Sequence, residues 1–332
     1  MLKNRTHTFP ERVKGKNAFL HECEGGRIKG SQVSTASALI RKVVASDRED
    51  IAGISSKIWG GHDYLPSVID EWLASPKCHT YGIETEGRIV AIGNLRLVDR
   101  NKTGWMEGLR VHPDYRRRGY ADMLTRHFLS LGKALTVQRL RYTTGGNNRA
   151  SLKLAKNAGF KRLFKMSAVW HEDLNITSIS AHTTTKEAAP QEAFELSKTC
   201  PSLFPHNVLI YDWKAVDTTL QGFREVGRDH TFYFTKRKDT LAAFSFGHAR
   251  PESEHGRWSF TVYASDEDGF LTHFQHHMNT ALSKDLNATV CTCQTQFENT
   301  LKELEDLPKF SWKIQLILFE KQMKQESRHS TS

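Results

Sequence analysis

The sequence predicts an α/β protein built as two units joined by a linker. The chain has 332 residues, whereas an ordinary domain holds roughly 100–150 residues. Strand-like runs alternate with helical apolar spacing in 36–172 and again in 191–325. Between them, 173–190 is rich in Ser, Thr and Ala and poor in large apolar side chains, which is typical of a linker.

The first unit is predicted to begin after a polar, loosely ordered arm at 1–35. A strand starts near Leu39, and Asp47 can cap the following helix because a short polar side chain there satisfies free backbone N–H groups. Apolar residues at helical spacing extend this helix through Ile51, Ile54 and Ile58. A second helix around 68–73 ends before Pro76.

Strands and helices alternate through the remainder of the chain. In the first unit we predict strands at His79–Thr85, Arg88–Val98 and Gly104–Val111, a helix from about Tyr120 to Lys133, a strand at Arg139–Thr144, a helix at Asn148–Asn157 and closing strands within Phe160–Glu172. In the second unit we predict strands near Val208–Trp213, Thr231–Phe234, Thr240–Phe246, Ser259–Ala264, Val290–Gln294 and Trp312–Phe319, and helices at Phe270–Ser283 and Glu298–Leu304. A polar tail is expected at 326–332.

Composition and charge narrow the function classes. Apolar residues make up 38% of the chain and charged residues 25%, and no apolar run approaches the roughly 18–20 residues that cross a bilayer. The net charge of +10 is spread out, without zinc-finger spacing or an RNA-binding aromatic signature, which indicates a solvated basic surface. Five cysteines, an odd number with no secretory signal, predict reduced thiols in the cytoplasm. We therefore expect no membrane, nucleic-acid or metal partner.

An anion site is predicted where the strand ending at Val111 leads through Pro113 into a basic loop and then into a helix beginning at Tyr120. The first N–H groups of a helix lack intrahelical partners, and the helix dipole adds positive charge, so a diphosphate is well accommodated. Gly119 allows close approach of the backbone to the anion, and Ala121 leaves that approach open. The loop adds three consecutive cations: Arg116, Arg117 and Arg118.

The run 111–121 resembles motif A of the GNAT superfamily of acetyltransferases, which reads Arg/Gln-x-x-Gly-x-Gly/Ala after a strand. Arg116, Gly119 and Ala121 occupy the three signature positions. Downstream, 147–160 resembles motif B, in which an Asn begins a helix that closes with Gly-Phe. The alternative interpretation is a coincidental basic turn before a surface helix.

This resemblance implies a GNAT fold, with a mixed central sheet flanked by helices, in a catalytic domain at 36–172. A second, degenerate GNAT-like domain follows at 191–325. Its acidic stretch 265–269 takes the place of the coenzyme loop and would repel a diphosphate, so we expect no coenzyme there. In the first domain the resemblance implies acetyl-CoA as co-substrate, bound by Leu109, Arg110, Val111, Arg116, Arg117, Arg118, Gly119, Tyr120, Ala121, Asn148 and Ser151.

Glu107 is the predicted general base. Strand alternation places it on one face with Leu109 and Val111, whose backbone the resemblance assigns to the pantetheine arm and the thioester carbonyl. The alternative is a Glu held by a neighbouring Arg or Lys. The family often has a Tyr seven residues after Asn148 to protonate the leaving thiolate, but this chain has Ala155. Tyr142 and, secondly, Ser151 are the candidates for that role.

The acceptor pocket is predicted at the loop 59–66. Asp63 would hold a cationic group and Tyr64 would stack or donate a hydrogen bond; alternatively, the loop only packs the second helix. Stretches throughout the chain, at 58–66, 107–111, 210–213 and 258–269, resemble the vertebrate histidine N-acetyltransferase family. In the second half, Tyr211 and Asp212 could reach the substrate across the domain interface; the alternative is a packing role for Trp213 and its neighbours.

The resemblance therefore implies an N-acetyltransferase that acetylates the α-amino group of a free amino acid, with histidine leading, to give N-acetylhistidine. Two alternatives stay open: an acetyltransferase of protein N-termini or lysines, and a non-catalytic module that binds coenzyme A. His273, His276 and His277 have metal-compatible helical spacing, but we expect an exposed His-rich face there and no metal.

Overall fold

One mixed sheet of twelve strands organises the computed structural model, which describes residues 38–56, 58, 63–172, 174, 185–250, 256–304 and 311–323. The predicted arm at 1–35 and tail at 326–332 lie outside these residues. The strands are β1 (Leu39–Lys42), β2 (Cys78–Thr85), β3 (Arg88–Val98), β4 (Thr103–Val111), β5 (Arg139–Gly145), β6 (Lys161–His171), β7 (Lys186–Ala188), β8 (Val208–Tyr211), β9 (Lys214–Asp217), β10 (Thr231–Arg237), β11 (Thr240–Arg250), β12 (Arg257–Ala264), β13 (Ala288–Gln294) and β14 (Trp312–Gln322).

The helices are α1 (Arg48–Ser55), α2 (Leu65–Ala74), α3 (Tyr120–Ala134), α4 (Arg149–Asn157), α5 (Pro190–Thr199), α6 (Leu220–Val226), α7 (Glu267–Ser283) and α8 (Glu298–Glu303). Six of the eight helices in the described residues lie at predicted positions, whereas α5 and α6 were not predicted. Strands β8 and β9 form a separate two-stranded hairpin.

The strand order is β1-β2-β3-β4-β5-β14-β6-β13-β12-β11-β10-β7. The last described strand, β14, is inserted between β5 and β6 and is antiparallel to both. On its other side, β6 pairs with β13. Each half of the chain therefore supplies a strand that pairs within the other half, and the sheet is continuous.

Strand β7 lies inside the segment predicted as a linker. Of 173–190, the structure describes 174 and 185–190, and β7 pairs there with β10 through Phe232 and Ala188. Ala188 is buried by this pairing. Three residues are too few to show strand alternation, so only the tertiary pairing reveals this strand.

The two faces of the sheet carry different layers. Leu316 and Leu318 of β14 pack with α5, α6 and the β8–β9 hairpin, whereas Ile317 and Phe319 pack with α3. Helices α1 and α2 cover Ile92 of β3, which strand alternation places on the same side as Val98 and the hairpin. We call this side the hairpin face and the other the α3 face.

The expectation of an exposed His-rich face on α7 is wrong. His273 and His277 are buried because the side of α7 that packs on the sheet also carries them. Trp258 Nε1 donates to His277 Nδ1 at 3.0 Å, and Ser245 Oγ lies 2.8 Å from His277 Nε2 and 2.6 Å from His273 Nδ1. This chain of hydrogen bonds satisfies both rings inside the core.

Candidate functional site

Strands β4 and β5 separate partway along their length. Their parallel pairing runs from Thr103–Arg139 to Trp105–Arg141, and the described ladder ends there. Beyond it, residues 106–111 of β4 have a free edge toward β5. A free strand edge presents unpaired N–H and C=O groups to which an extended ligand can add as a strand.

A β-bulge at Gly108 interrupts β4. Asn94 pairs with Glu107 but Ile92 pairs with Arg110, so β4 has one residue more than β3 here. Gly108 has a φ of 65°, and a Cβ there would overlap the indole ring of Trp72. Both observations restrict this position to glycine.

The bulge overturns the expectation that Glu107, Leu109 and Val111 share a face. Leu109 and Val111 pack on the α3 face, whereas Glu107 lies on the hairpin face beside Asn94. The extra residue shifts the strand's alternation by one position. An isolated glycine inside a strand pattern is a known bulge signal, so the sequence did contain the information.

The basic loop leads directly into the N-terminus of α3, as the sequence predicts. Gly119 is the N-cap of α3 with a φ of 83°, and no described atom lies within 4 Å of a Cβ built on it. The first helical bond runs from Met123 N to Gly119 O at 3.0 Å, so the amides of 120–122 precede the helical ladder. This geometry leaves open space over a helix N-terminus.

The three loop arginines are exposed and flank this N-terminus. Arg116 Nε donates to Val111 O at 3.4 Å, and the Arg118 guanidinium lies 4.8 Å from the centre of the Tyr115 ring. Arg117 has a left-handed φ of 64°. Ala121 lies in the first turn of α3, while the side chain of Tyr120 is buried in the core, so Tyr120 offers its backbone amide.

The predicted motif B residues brace α4. Asn148 Oδ1 accepts a hydrogen bond from Ser151 N at 3.1 Å and caps the helix. Tyr142 follows the last β4–β5 pair by one residue. Its hydroxyl donates a hydrogen bond to Ser151 O at 3.4 Å. Its ring packs against Phe160 and Phe319, and burial raises its pKa to about 12. Tyr142 therefore stays protonated at neutral pH and can donate a proton or a hydrogen bond.

Glu107 is held by two donors on the hairpin face. Its Oε1 accepts from Asn94 Nδ2 at 2.8 Å and from Arg96 Nε at 3.0 Å, and its side chain is 10% exposed. Arg96 also pairs with Glu71 at 3.0 Å. The structure thus shows the arrangement we gave as the alternative to a free base, and the base role stays a prediction. Sequence reasoning missed Asn94 and Arg96, although polar residues inside the apolar run of β3 were a signal.

The comparison with protein families agrees with this geometry. The family described as acetyltransferase (GNAT) family matches residues 48–160, which include β4, the bulge and the loop before α3.

Residues 48–160 form a GNAT acetyltransferase domain.

Curated relatives match about a third of the chain or less. Probable N-acetyltransferase 16 of Homo sapiens is 34% identical over 114 residues, 34% of this chain and 31% of that protein. A histidine N-acetyltransferase of Xenopus tropicalis is 36% identical over 93 residues, 27% of this chain and 29% of that protein. The matched segments thus span about a third of the length of these relatives.

Solved structures extend the likeness to both halves. A tandem GNAT protein from the clavulanic acid biosynthesis pathway is 15% identical, with a TM-score of 0.55 over 87% of this chain and 100% of that chain. A GCN5-related N-acetyltransferase from Sphaerobacter thermophilus is 11% identical, with a TM-score of 0.59 over 87% and 96%. At these identities the likeness shows the fold alone, and the predicted fold class is confirmed.

The predicted acceptor residue Asp63 of the GNAT domain is engaged by the protein itself. Arg110 Nε and Nη2 donate to its two oxygens, each at 3.1 Å, and the Asp63 side chain is fully buried. Tyr64 is 42% exposed beside the Arg110 guanidinium, 5.5 Å from its ring centre. Residues 59–62 of this loop lie outside the described residues.

The side chain of Arg110 is therefore not where its predicted role in coenzyme binding would place it. Its side chain points to the hairpin face, away from α3, because the bulge at Gly108 sets its direction. Only its backbone remains at the β4 edge. Asp63, likewise, has both carboxylate oxygens occupied by a guanidinium, so an acceptor cation would have to compete with Arg110.

Tyr211 ends strand β8 of the β8–β9 hairpin, and its ring packs edge-on against His230. Burial raises the pKa of its hydroxyl, and the nearby charges of Glu225 and Asp212 raise it further. Asp217 of the hairpin pairs with Arg141 at 2.7 Å and also with Arg139. These contacts fix the hairpin over the hairpin face of β5.

Titratable side chains also cluster at the turn after β8. Asp212, His230 and His248 place ligand-type atoms within 4.8 Å of one another. Asp212 accepts from Ser259 Oγ at 2.7 Å and pairs with Arg250 at 2.5 Å, and His248 Nε2 lies 3.3 Å from its Oδ2. The imidazoles of His230 and His248 are tilted by 32° with 4.1 Å between ring centres, and His230 Nδ1 lies 3.1 Å from Val226 O. Hydrogen bonds and ion pairs within the chain therefore already engage all three side chains.

No helix in the described part of the chain combines the length and apolar character needed to cross a membrane.

Proposed function

We propose that this chain transfers an acetyl group from acetyl-CoA to the α-amino group of a free amino acid, with histidine as the leading acceptor. One observation carries the proposal: within a GNAT domain, the splayed edge of β4 lies beside a helix N-terminus with open space above Gly119. This combination provides an extended groove and an anion cradle. Both fit a diphosphate joined to an extended thiol-bearing arm.

Acetyl-CoA supplies an acetyl group already activated as a thioester. The amides at the start of α3 would bind its diphosphate, with Arg116, Arg117 and Arg118 adding positive charge. The free edge of β4 would pair with the extended arm. The backbone N–H near Leu109, directly after the bulge, would donate to the thioester carbonyl, where negative charge develops.

Proton movements can be assigned to side chains on both faces. Attack by a neutral amine forms a C–N bond and breaks the C–S bond, while the amine loses a proton and the thiolate gains one. Tyr142 keeps its proton at neutral pH and would supply it to the thiolate. Glu107 would receive the amine proton, with Arg96 and Asn94 fixing its carboxylate.

The hairpin favours a small acceptor. Thr143 Oγ1 donates to Trp213 O, and Arg141 pairs with Asp217, so the second half would cover the hairpin face of β5 beside the splay, from which an amine would approach Glu107. A groove for a protein N-terminus or a lysine would need this side to be open. Histidine is preferred as acceptor because relatives from several vertebrates carry the name histidine N-acetyltransferase.

A cytoplasmic location forms part of the proposal. The four described cysteines are free, and Cys291 and Cys293 are buried, which fits a reducing compartment.

The test measures coenzyme A release with each of the twenty amino acids and with a peptide that begins with histidine. We expect the highest kcat/KM with free histidine, with N-acetylhistidine identified by mass spectrometry. Higher kcat/KM with the peptide would favour the protein acetyltransferase. Tight coenzyme binding without turnover on any acceptor would favour the non-catalytic module, for which the buried Ala155 at the usual Tyr position is the motivating observation.

A further inference from the structure

A cavity of about 60 Å³ opens on the hairpin face of the second half, between β6, β12, β13 and the turn after β8. Its volume is several times the roughly 10–15 Å³ that one water needs by this measure. Trp170, Trp213 and Leu316 form much of its apolar wall, and Arg250 and Arg257 supply cations. Asp212 also lines the cavity and is paired with Arg250, so the cation without a close carboxylate among the described residues is Arg257.

The two arginines are direct partners across the β11–β12 ladder. Like charges in that position repel, so the arrangement is unfavourable without an anion nearby. Arg250 pairs with Asp212 at 2.5 Å, but among the described carboxylates the one paired with Arg257 is Glu172, at 3.9 Å. Burial lowers the pKa of Arg257, Glu172 raises it, and Arg250 lowers it further.

The Arg257 Nε is buried and has no hydrogen-bond partner among the described residues. An unsatisfied buried donor is costly, and more so when it belongs to a charged group. The arrangement is explained if an acceptor oxygen from outside the chain completes it. A carboxylate suits this role because it accepts from a guanidinium in bidentate geometry.

The aromatic wall indicates what the carboxylate is attached to. Trp213 is 40% exposed, whereas Trp170 is buried in the core and lies tilted against Trp312 with 4.3 Å between ring centres. An exposed Trp beside a cation offers apolar contact area to the body of a ligand whose carboxylate binds that cation.

We propose that this cavity binds the carboxylate of a small organic acid on Arg257, with the apolar or aromatic body of the acid at the mouth of the cavity against the exposed side chain of Trp213. The body stays at the mouth because about 60 Å³ is less than the roughly 150 Å³ of an engineered cavity that encloses benzene. The Arg257 end of the cavity lies away from the splay of β4 and β5. Strand β12, which carries Arg257, lies four strands from β5 in the sheet, about 19 Å between backbones at the usual strand spacing. Trp213, in contrast, contacts β5, because Thr143 Oγ1 donates to its carbonyl.

Calorimetric titration of the full chain with benzoate tests the proposal. We expect saturable binding of benzoate, no binding of the neutral analogue benzamide, and weaker binding of inorganic phosphate, which lacks the apolar body. Arg257→Gln should reduce benzoate affinity at least about tenfold, as expected for the loss of a charged hydrogen bond. Arg257→Lys should keep part of the affinity, and Trp213→Leu should weaken benzoate but not phosphate.

Two variants serve as controls. Arg224→Gln removes an exposed arginine of the second half and should leave affinity unchanged. Arg116→Gln should also leave it unchanged, since loss there would place benzoate on the basic loop before α3. The proposal is overturned if benzoate does not bind, if Arg257→Gln and Arg257→Lys both retain full affinity in folded protein, or if phosphate binds as tightly as benzoate.

Discussion

Arg110 donates two hydrogen bonds to Asp63, each 3.1 Å long, between positions 47 residues apart in the sequence. The pair joins the loop before α2 to the strand that carries the bulge. Since the Asp63 side chain is fully buried, its charge depends on Arg110 for compensation. The pair therefore holds the acceptor loop in place relative to β4.

The first prediction concerns that pair. Arg110→Met should lower the free energy of unfolding by about 3–5 kcal/mol, because it leaves a buried carboxylate without its partner. Asp63→Asn combined with Arg110→Met should recover much of this loss, since the uncompensated charge is gone. Urea denaturation of the two variants measures the difference, and equal losses in both would contradict the argument.

The second prediction concerns Gly119. Gly119→Glu should abolish coenzyme A binding, because a carboxylate would occupy the anion cradle, while the left-handed φ costs about 1–2 kcal/mol of stability. Gly87→Glu is a matched control: Gly87 has a φ of 74° and likewise no described atom within 4 Å of its Cβ position. It should cost similar stability but leave coenzyme affinity unchanged in calorimetry. Unchanged affinity in Gly119→Glu would remove the loop from the coenzyme site.

The third prediction concerns Glu107. If it accepts the amine proton, Glu107→Gln should lower kcat/KM most at low pH, where the acceptor amine is protonated and most needs a base. Glu71→Gln is the control, because Glu71 also pairs with Arg96 but its side chain is 62% exposed. A pH–rate profile of Glu107→Gln that parallels the profile of the unmodified protein would limit Glu107 to positioning Arg96.

The fourth prediction concerns pH and stability. Burial lowers the pKa of His171 and of His230 to about 4, against about 6.5 in an unfolded chain. Between pH 4 and pH 6.5 the unfolded chain binds more protons than the folded chain. The free energy of unfolding is therefore unaffected by these histidines above pH 6.5 and decreases as the pH falls toward 4, by up to about 3 kcal/mol for each histidine. Urea denaturation from pH 7.5 to 4.5 should show this slope. His230→Gln should reduce this slope, and an unchanged slope in that variant would contradict the role given to His230.

The sequence predicted local features well and non-local ones poorly. The anion cradle before α3 was predictable because a basic loop, Gly119 and an amphipathic helix are adjacent in the chain, and helix N-terminal chemistry needs nothing else. The pairing of Arg110 with Asp63 depends on which way the bulge turns β4, and periodicity does not show a partner so distant. The side chains of Glu107 and Leu109 were assigned to one face for a different reason: uninterrupted alternation was assumed across Gly108, although a glycine inside a strand can mark a bulge.

The position of β14 is the largest feature that the sequence did not reveal. Alternation predicted a strand at Trp312–Phe319, but a strand pattern does not specify its neighbours. Because β14 is inserted between β5 and β6, it forms backbone hydrogen bonds with both strands. Its side chains Ile317 and Leu318 are buried on opposite faces of the sheet. Both halves of the chain should therefore depend on β14.

The last prediction tests that dependence by truncation. A chain ending at residue 304 lacks β14 and leaves facing edges of β5 and β6 without partners, which exposes backbone groups and apolar residues on both faces. We expect loss of cooperative thermal unfolding, aggregation, and loss of coenzyme A binding even though the loop at 116–121 is intact. A chain ending at residue 323 keeps β14 and should melt like the full chain. If the shorter chain still unfolds cooperatively and binds coenzyme A, the first half is self-sufficient and the shared strand is not required for its fold.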